Sequence, residues 1–238
     1  MVFLCALVGG GTSSTVDTGI SRAIDQTGLS DLLALYRPVW YCQVMNAKTV
    51  IGSRPSARER LLAAAEELFY DEGVNTVGID RVIERAGVAK ASLYNAFGSK
   101  DELIRSYLRA RQEARQARLA ERLARYDNPK ARLLGVFDAM GELFAEPGFR
   151  GCAFLRASAE SRAGSSVRTI CDDSRSWTRA LFTDLARDAG VAEPERLAQQ
   201  LVLLYDGATV SAQMDRNPQA AAVARAAAAA MLDAALAG

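Results

Sequence analysis

The sequence predicts an all-α protein, with an N-terminal three-helix helix-turn-helix unit followed by a larger helical body. Apolar residues recur at the spacing of amphipathic helices from residue 56 onward, and no alternating strand pattern appears. Helix caps and Gly or Pro breaks separate these periodic runs. Two of the runs are short and are joined by a tight glycine turn, which is the arrangement of a helix-turn-helix.

The chain is long enough for one compact body and a small additional module. It has 238 residues, of which 50% are hydrophobic and 24% are charged. No apolar run approaches the ~20 residues that a membrane-spanning helix needs, so we expect a soluble, cytoplasmic protein without a membrane partner. The formal net charge is +1, and any attraction to phosphate must therefore come from the local placement of basic residues.

The residue inventory argues against several kinds of catalytic site. The sequence contains no histidine, which removes His-based nucleophile triads and His metal ligands. It also lacks a G-x-S-x-G elbow, a phosphate-binding loop and a clear constellation of carboxylates. We therefore expect no catalytic residues, no bound metal and no cofactor.

The cysteines fit a reducing cytoplasm. Cys5, Cys42, Cys152 and Cys171 contain no C-x-x-C pair, and the chain is too long for them to suggest a disulfide scaffold. A role for Cys152 or Cys171 as an oxidant sensor stays open. The alternative that we favour is that both are buried structural thiols, which is the more common case.

Residues 1–52 differ from the rest of the chain because they show no sustained helical period and have many Gly, Ser and Thr residues. We expect a disordered tail or an over-extended gene start, with Met45 as the alternative first residue. A start there would place a short basic arm, Lys48, Arg54 and Arg58, directly before the first helix. A signal peptide is less favoured because its charged n-region is missing.

The helix-turn-helix is built from three short helical runs. Ser56 and Glu59 form an S-x-x-E capping box at the start of the first helix, and Gly73 ends that helix. The second run stops at Gly87, and the third helix spans residues 90–97. These signals divide the chain into residues 1–52, a helix-turn-helix domain at 53–100 and a helical body at 101–238.

The third helix has an inward and an outward side. Leu93 and Phe97 share one face and are expected to pack on the first two helices. The opposite side suits a DNA major groove, because lysine neutralises phosphate or reaches guanine, asparagine pairs with an adenine edge and tyrosine bonds a phosphate oxygen. A small alanine lets the helix approach closely. These outward residues are Lys90, Ala91, Tyr94 and Asn95.

A fourth helix is predicted to start directly after the third. Ser99 and Glu102 repeat the capping-box pattern and place Lys100 in the first turn. Backbone N–H groups and the positive end of the helix dipole favour a phosphate at that position. We therefore expect the two helix ends to clamp one DNA strand.

The run from Arg58 to Ile104 combines several short motifs at fixed positions. It has a leading helix ending in glycine, a threonine before the second helix, an Ala-Gly-Val turn, a Leu-Tyr pair, a phenylalanine and a Gly-Ser-Lys. These residues are Glu72-Gly73, Thr76, Ala86-Gly87-Val88, Leu93-Tyr94, Phe97 and Gly98-Ser99-Lys100. In this combination the run resembles the N-terminal DNA-binding domain of the TetR/AcrR family of transcriptional regulators.

The resemblance implies a set of DNA-contacting residues that act mostly on phosphates. Two departures weaken the match: Ala89 stands where a Ser or Thr often caps the recognition helix, and Ala96 stands where His or Tyr is common. The alternative is a small-molecule-binding helical protein or an enzyme that uses the same scaffold without DNA. The implied DNA-binding residues are Thr76, Lys90, Ala91, Ser92, Tyr94, Asn95 and Lys100.

The helical body follows from periodic runs and breaks. Residues 101–126 are rich in arginine, and we favour a solvated helix face over a second nucleic-acid or membrane contact. Later helices are expected to begin at Asn128-Pro129, after a break at Ala163 to Ser166, at Glu193-Pro194 and at Asn217-Pro218.

The resemblance also implies functions for the body. It implies a small-molecule effector site between the central helices and a homodimer through the last two helices, with Ala220 to Ala235 suited to close helix packing. The implied function is a ligand-responsive regulator, in the favoured interpretation a repressor, that binds a palindromic double-stranded DNA operator. The pocket residues that we predict are Phe137, Met140, Phe144, Phe154, Trp177, Phe182 and Tyr205, although each taken singly is more often core than pocket.

Overall fold

The computed structural model describes residues 55–237, which form nine helices and no strands. The predictions made for the tail, the Met45 start and the first two residues of the basic arm lie outside this range. The all-α prediction is confirmed within it. The helices are α1 (Ala57–Glu72), α2 (Ile79–Ala86), α3 (Lys90–Phe97), α4 (Lys100–Leu123), α5 (Pro129–Phe144), α6 (Ala153–Glu160), α7 (Ser166–Asp188), α8 (Pro194–Met214) and α9 (Ala220–Ala237).

Local signals set the ends of the first helices as predicted. The Ser56 hydroxyl accepts from the Glu59 backbone N–H at 3.2 Å, and the Glu59 carboxylate accepts from the Ser56 N–H at 2.7 Å. These bonds complete the capping box and lower the pKa of Glu59. Gly87 ends α2 in the left-handed conformation, with φ 61° and ψ 47°. The Arg60 guanidinium closes the turn by donating to the Gly87 carbonyl at 2.9 Å.

The caps of α4 and α5 are formed in different ways. The Ser99 hydroxyl accepts from the Glu102 N–H at 3.1 Å, but the Glu102 carboxylate pairs with Arg105. Only the serine half of the expected capping box is therefore present. Asn128 caps α5 through its side chain, and Pro129 is the first helical residue, as predicted.

The prediction of a solvated arginine face on α4 is wrong for several of its arginines. Their guanidinium groups pair with glutamates of α1, of α5 and of the connection that follows α5. Arg111 and Glu66 are the most enclosed pair, with side-chain exposures of 14% and 18%. Burial raises the pKa of Glu66, and the nearby Arg111 charge opposes that rise. The other such pairs are Arg118–Glu146 and Arg122–Glu142.

Two features of the body differ from the sequence prediction. Helix α6 was not predicted, and its N-cap is a thiol: the Cys152 sulfur accepts from the Leu155 N–H at 3.4 Å. Helix α9 starts at Ala220 rather than at Pro218. Asn217 instead closes a turn through its side chain, which accepts from the Gln219 N–H at 2.9 Å.

The buried side chains form two hydrophobic clusters that do not follow the predicted boundary at residue 100. The first unites α1–α3 with the start of α4, with α6 and with the start of α7; it includes Leu103, Phe154 and Val167. The second lies among the end of α4, α5, the end of α7, α8 and α9. The helix-turn-helix thus shares its core with the body, and the division at residue 100 stays a prediction.

Helix α9 is rich in alanine. Among residues 55–237 it is the one helix whose length and composition would suit a membrane span, and 22% of its 18 residues are buried. An apolar helix of this length was not predicted from the sequence. In the structure it packs on α5 and α8, and Ala221, Ala224, Ala228 and Leu232 are buried there.

Candidate nucleic-acid interface

Helix α3 is docked by its apolar side. Leu93 is fully buried and Phe97 is 8% exposed, which confirms the predicted inward face. The Arg58 guanidinium lies 5.0 Å from the centre of the Phe97 ring and covers it from the side of α1. The orientation of α3 about its axis is therefore fixed by packing.

The outward side of α3 is accessible and carries no acidic group. Lys90, Ala91 and Asn95 are exposed, and Tyr94 is 45% exposed. Ser92 is half-buried. The segment from residue 88 to residue 100 contains two lysines and no Asp or Glu. The segment itself therefore carries a positive charge in a chain that is almost neutral overall.

Asp80 is a neighbour of α3 that sequence reasoning missed. Its carboxylate lies 3.0 Å from the Lys90 ammonium, and both side chains are largely exposed. The hydrogen bond and the charge of Asp80 raise the pKa of Lys90. Lys90 thus has an acidic partner, and a DNA phosphate would have to compete with that carboxylate. Sequence periodicity could not predict this pair, because Asp80 and Lys90 are ten residues apart and lie on different helices.

Helix α3 lacks a side-chain cap. Ala89 occupies the N-cap position in extended geometry and makes no side-chain hydrogen bond to the first turn. This confirms that the serine or threonine cap expected from the family pattern is absent, which costs roughly 1 kcal/mol of helix stability. The Ser92 backbone N–H instead donates to the Ala89 carbonyl at 2.9 Å.

The two predicted contacts outside α3 lie at the adjoining helix ends. Thr76 is exposed in the connection between α1 and α2. Lys100 is half-buried in the first turn of α4. Burial lowers the pKa of Lys100, while the charges of Asp101 and Glu160 act in the opposite direction.

The helix-turn-helix is tied to the body through α6. The Glu160 carboxylate accepts from the Asn75 backbone N–H at 2.8 Å, and the Asn75 side chain donates to the Glu160 carbonyl at 2.6 Å. The Tyr70 hydroxyl donates to the Gly151 carbonyl at 3.2 Å. A displacement of α6 therefore acts directly on the loop that precedes α2. The sequence gave no signal for these bonds because their partners are about 80 residues apart.

The predicted pocket residues are divided between several environments. Phe137 and Phe182 have ring centres 5.8 Å apart, and Phe182 and Tyr205 have centres 5.9 Å apart, inside the second cluster. Met140 and Phe144 are buried in the same cluster, whereas Phe154 lies in the first. Of this predicted set, all within the described range, only Trp177 lines the cavity between α4 and α7.

Cys171 has the properties of a structural thiol. It is 5% exposed, and burial raises its pKa to about 11. At neutral pH the group is therefore a protonated thiol, the less reactive form. Cys152 is half-buried and caps α6.

A helix-turn-helix with a docked, accessible recognition helix, joined to an all-helical body, defines the class of helix-turn-helix transcriptional regulators. The family model for bacterial regulatory proteins of the tetR family matches residues 61–107. The solved structure of a TetR-family transcriptional regulator from Streptomyces coelicolor is 30% identical, with a TM-score of 0.72 over 75% of this chain and 95% of that chain. The chain belongs to the TetR family of transcriptional regulators.

Two relatives of the chain have opposite effects on transcription. The transcriptional repressor NemR of Escherichia coli K12 is 28% identical over 170 residues, which cover 67% of this chain and 85% of NemR. The transcriptional activator FasR of Mycolicibacterium smegmatis is 28% identical over 141 residues, which cover 58% of this chain and 63% of FasR. The match thus spans less than two thirds of FasR.

Proposed function

We propose that the protein is a ligand-responsive repressor. As a homodimer it binds a palindromic double-stranded DNA operator through α3, and a small-molecule effector in the helical body releases it. The observation that carries this proposal is the outward side of α3, where Lys90, Ala91, Tyr94 and Asn95 are accessible while the opposite side is buried. A recognition helix that is docked on one side and presents polar side chains on the other suits insertion into the major groove.

The predicted DNA-contacting residues on α3 and beside it divide between phosphate contact and base contact. Tyr94 and Lys100 suit phosphate oxygens, because one donates a hydroxyl hydrogen bond and the other carries a charge at a helix N-terminus. Thr76 and Ser92 suit further phosphate contacts. Asn95 suits an adenine edge, and Ala91 allows close approach to a thymine methyl. Base discrimination therefore rests mainly on Asn95, with Lys90 able to reach guanine once it leaves Asp80.

Exposed apolar residues on α8 and α9 support the homodimer. Leu203 is 70% exposed, Met214 75% and Val223 69%, although all three are large hydrophobic side chains. On α8 the exposed positions Leu203, Val210 and Met214 recur at helical spacing and form one stripe. A second copy packed on this stripe would remove it from water. It would also provide the second recognition helix, which a half-site about 34 Å away requires.

The contacts between the two cores support communication between ligand and DNA. Helix α4 begins beside α3 and continues into the body, and α6 bonds to the loop before α2 through Glu160 and Asn75. An effector that favours a different placement of α4 or α6 changes the spacing of the recognition helices. The free energy of operator binding is then reduced by at most the difference between the effector's binding free energies for the two conformations. The alternative of an enzyme without DNA binding has no specific observation in its favour among residues 55–237.

Selection from a random pool of DNA duplexes tests the proposal. The purified full-length protein, without added ligand and at low salt, is expected to enrich a palindrome with half-sites about one helical turn apart. Enrichment of an asymmetric single site contradicts the dimeric mode. Absence of any enriched sequence contradicts the assignment of α3 as a reading helix.

A further inference from the structure

A cavity of about 530 Å³ lies between α4 and α7 and is open to solvent. This volume lies within the range of small-molecule sites. One wall is polar and is formed by Gln112 of α4 and Ser174 of α7. Trp177 and Ile170 provide apolar surface beside it. The cavity thus combines a hydrogen-bonding wall with a flat aromatic surface.

The Arg115 guanidinium lies directly behind the polar wall. Its Nη2 donates to the Gln112 side-chain oxygen at 2.7 Å and to the Ser174 hydroxyl at 2.9 Å. It also lies 4.7 Å from the centre of the Trp177 ring. All three of these neighbours line the cavity. A rotation of Gln112 or Ser174 would therefore bring Arg115 into contact with a ligand.

The Arg115 cation lacks a counter-ion among residues 55–237. Its hydrogen-bond partners are neutral oxygens, and its buried Nε has no acceptor. Arg118 and Arg122, on the same helix, each pair with a glutamate. A half-buried cation without a carboxylate partner loses solvation that no opposite charge restores. A ligand that carried an anionic group to this wall would supply the missing charge.

The rim of the cavity limits the charge of the ligand. Glu113 and Asp173 line the cavity, are exposed and pair with no cation in the described part of the chain. They repel a second negative charge. Two cations also line the cavity, but Arg105 pairs with Glu102 and the exposed Arg109 adds only a solvated positive charge. We propose that this cavity binds an organic monocarboxylate with a flat apolar group, whose carboxylate pairs with Arg115 and whose apolar group lies on Trp177.

The position of the cavity connects it with the DNA-binding surface, a consequence that rests on the proposed function. Helix α4 carries both Lys100 in its first turn and Gln112 at the cavity. Val167 and Cys171, near the start of α7, pack in the same hydrophobic cluster as the helix-turn-helix. A ligand between α4 and α7 therefore acts on two helices that support α3.

Calorimetric titration of the full-length protein in the absence of DNA tests the ligand class. The probes are phenylacetate, its neutral amide phenylacetamide, the cation 2-phenylethylamine and the dianion phenylmalonate. Phenylacetate is expected to bind about ten- to a hundredfold more tightly than the amide, because its carboxylate forms a charge-assisted hydrogen bond with Arg115 and the neutral amide does not. Phenylmalonate is expected to bind more weakly than phenylacetate. Equal or tighter binding of the amide or the amine, or no binding of phenylacetate at millimolar concentration, overturns the proposal.

Variants locate the binding within the cavity. Arg115→Gln is expected to remove the preference for phenylacetate over its amide, and Ser174→Ala to reduce phenylacetate affinity severalfold. Asp173→Asn is expected to tighten phenylacetate binding severalfold because it removes a repelling rim charge. Its matched control, Asp172→Asn, removes the same charge one residue away, at a position that pairs with Arg168 outside the cavity, and is expected to change little.

The variants also keep the result interpretable if one of them fails to fold. Asp173 is exposed, so its replacement tests the proposal even where Arg115→Gln is unstable. Equal effects of Asp173→Asn and Asp172→Asn overturn the assignment to this cavity. Since no DNA is present, a failure of these titrations overturns the ligand class alone, whereas a failure of duplex selection overturns the proposed function and leaves the titrations standing.

Discussion

A charge placed on the exposed stripe of α8 is expected to dissociate the homodimer. Full burial of a leucine or methionine side chain contributes about 1.5–3 kcal/mol. With Leu203 70% exposed and Met214 75% exposed in one protomer, each has about 1–2 kcal/mol left to gain in a dimer. A two-fold interface contains each residue twice, so Leu203→Asp removes about 2–4 kcal/mol before the cost of burying two carboxylates.

This loss corresponds to a dimer Kd raised by about 30- to 1,000-fold, and more where the aspartates are desolvated. Sedimentation equilibrium over a range of protein concentrations measures the change, and circular dichroism verifies that the variant is helical. Leu155→Asp is the matched control, because Leu155 is 53% exposed and belongs to α6 rather than to the α8 stripe. An unchanged dimer Kd for folded Leu203→Asp, or equal dissociation by the control, would refute the dimer surface.

Three further predictions concern the DNA surface and the thiol chemistry. Asp80→Asn is expected to raise DNA affinity severalfold in fluorescence anisotropy, because it releases Lys90 and removes a negative charge near the phosphates. Lys100→Ala is expected to weaken binding to all sequences, whereas Asn95→Ala mainly relaxes base preference in a repeated duplex selection. Cys171 is expected to resist iodoacetamide at neutral pH and to react faster as the pH approaches its pKa of about 11, measured by mass spectrometry of the alkylated protein.

Controls separate these effects from general changes in charge or stability. Glu84→Gln removes a charge from the same helix as Asp80 without releasing Lys90, and equal gains from both variants would remove the specific role of Asp80. Tyr94→Phe is expected to behave like the Lys100 variant, since it removes a phosphate contact. An unchanged selected site for Asn95→Ala would contradict its assignment to base reading. Rapid alkylation of Cys171 in the native protein at pH 7 would show that the thiol is not enclosed.

The parts of the fold that follow local signals were predictable from the sequence. The limits of α3, the Ser56 capping box and the left-handed Gly87 depend on residues within four positions of one another. The inward side of α3 follows from the helical repeat alone, because Leu93 and Phe97 are one turn apart. Helix limits, caps and the inward face of a helix depend on neighbouring residues, so they can be predicted without knowledge of tertiary contacts.

The contacts that decide pairing between helices were not predictable. Glu160 bonds to Asn75 and Ser174 bonds to Arg115 only because the chain brings separate helices together. The aromatic residues illustrate the same limit, since the sequence predicts Phe154 as a pocket residue but does not tell which of the two clusters receives it. Helix α6 was missed because a cysteine caps it and its eight residues span only about two turns.

The central claim is that the outward side of α3 reads a DNA sequence. The most direct test is a random-duplex selection with the wild-type protein and with a variant in which Lys90, Tyr94 and Asn95 are all alanine. The wild type is expected to enrich a palindrome, and the variant to enrich none, although its docking residues Leu93 and Phe97 are intact. Enrichment of the same palindrome by the variant, or of no sequence by a folded wild-type dimer, would contradict the claim.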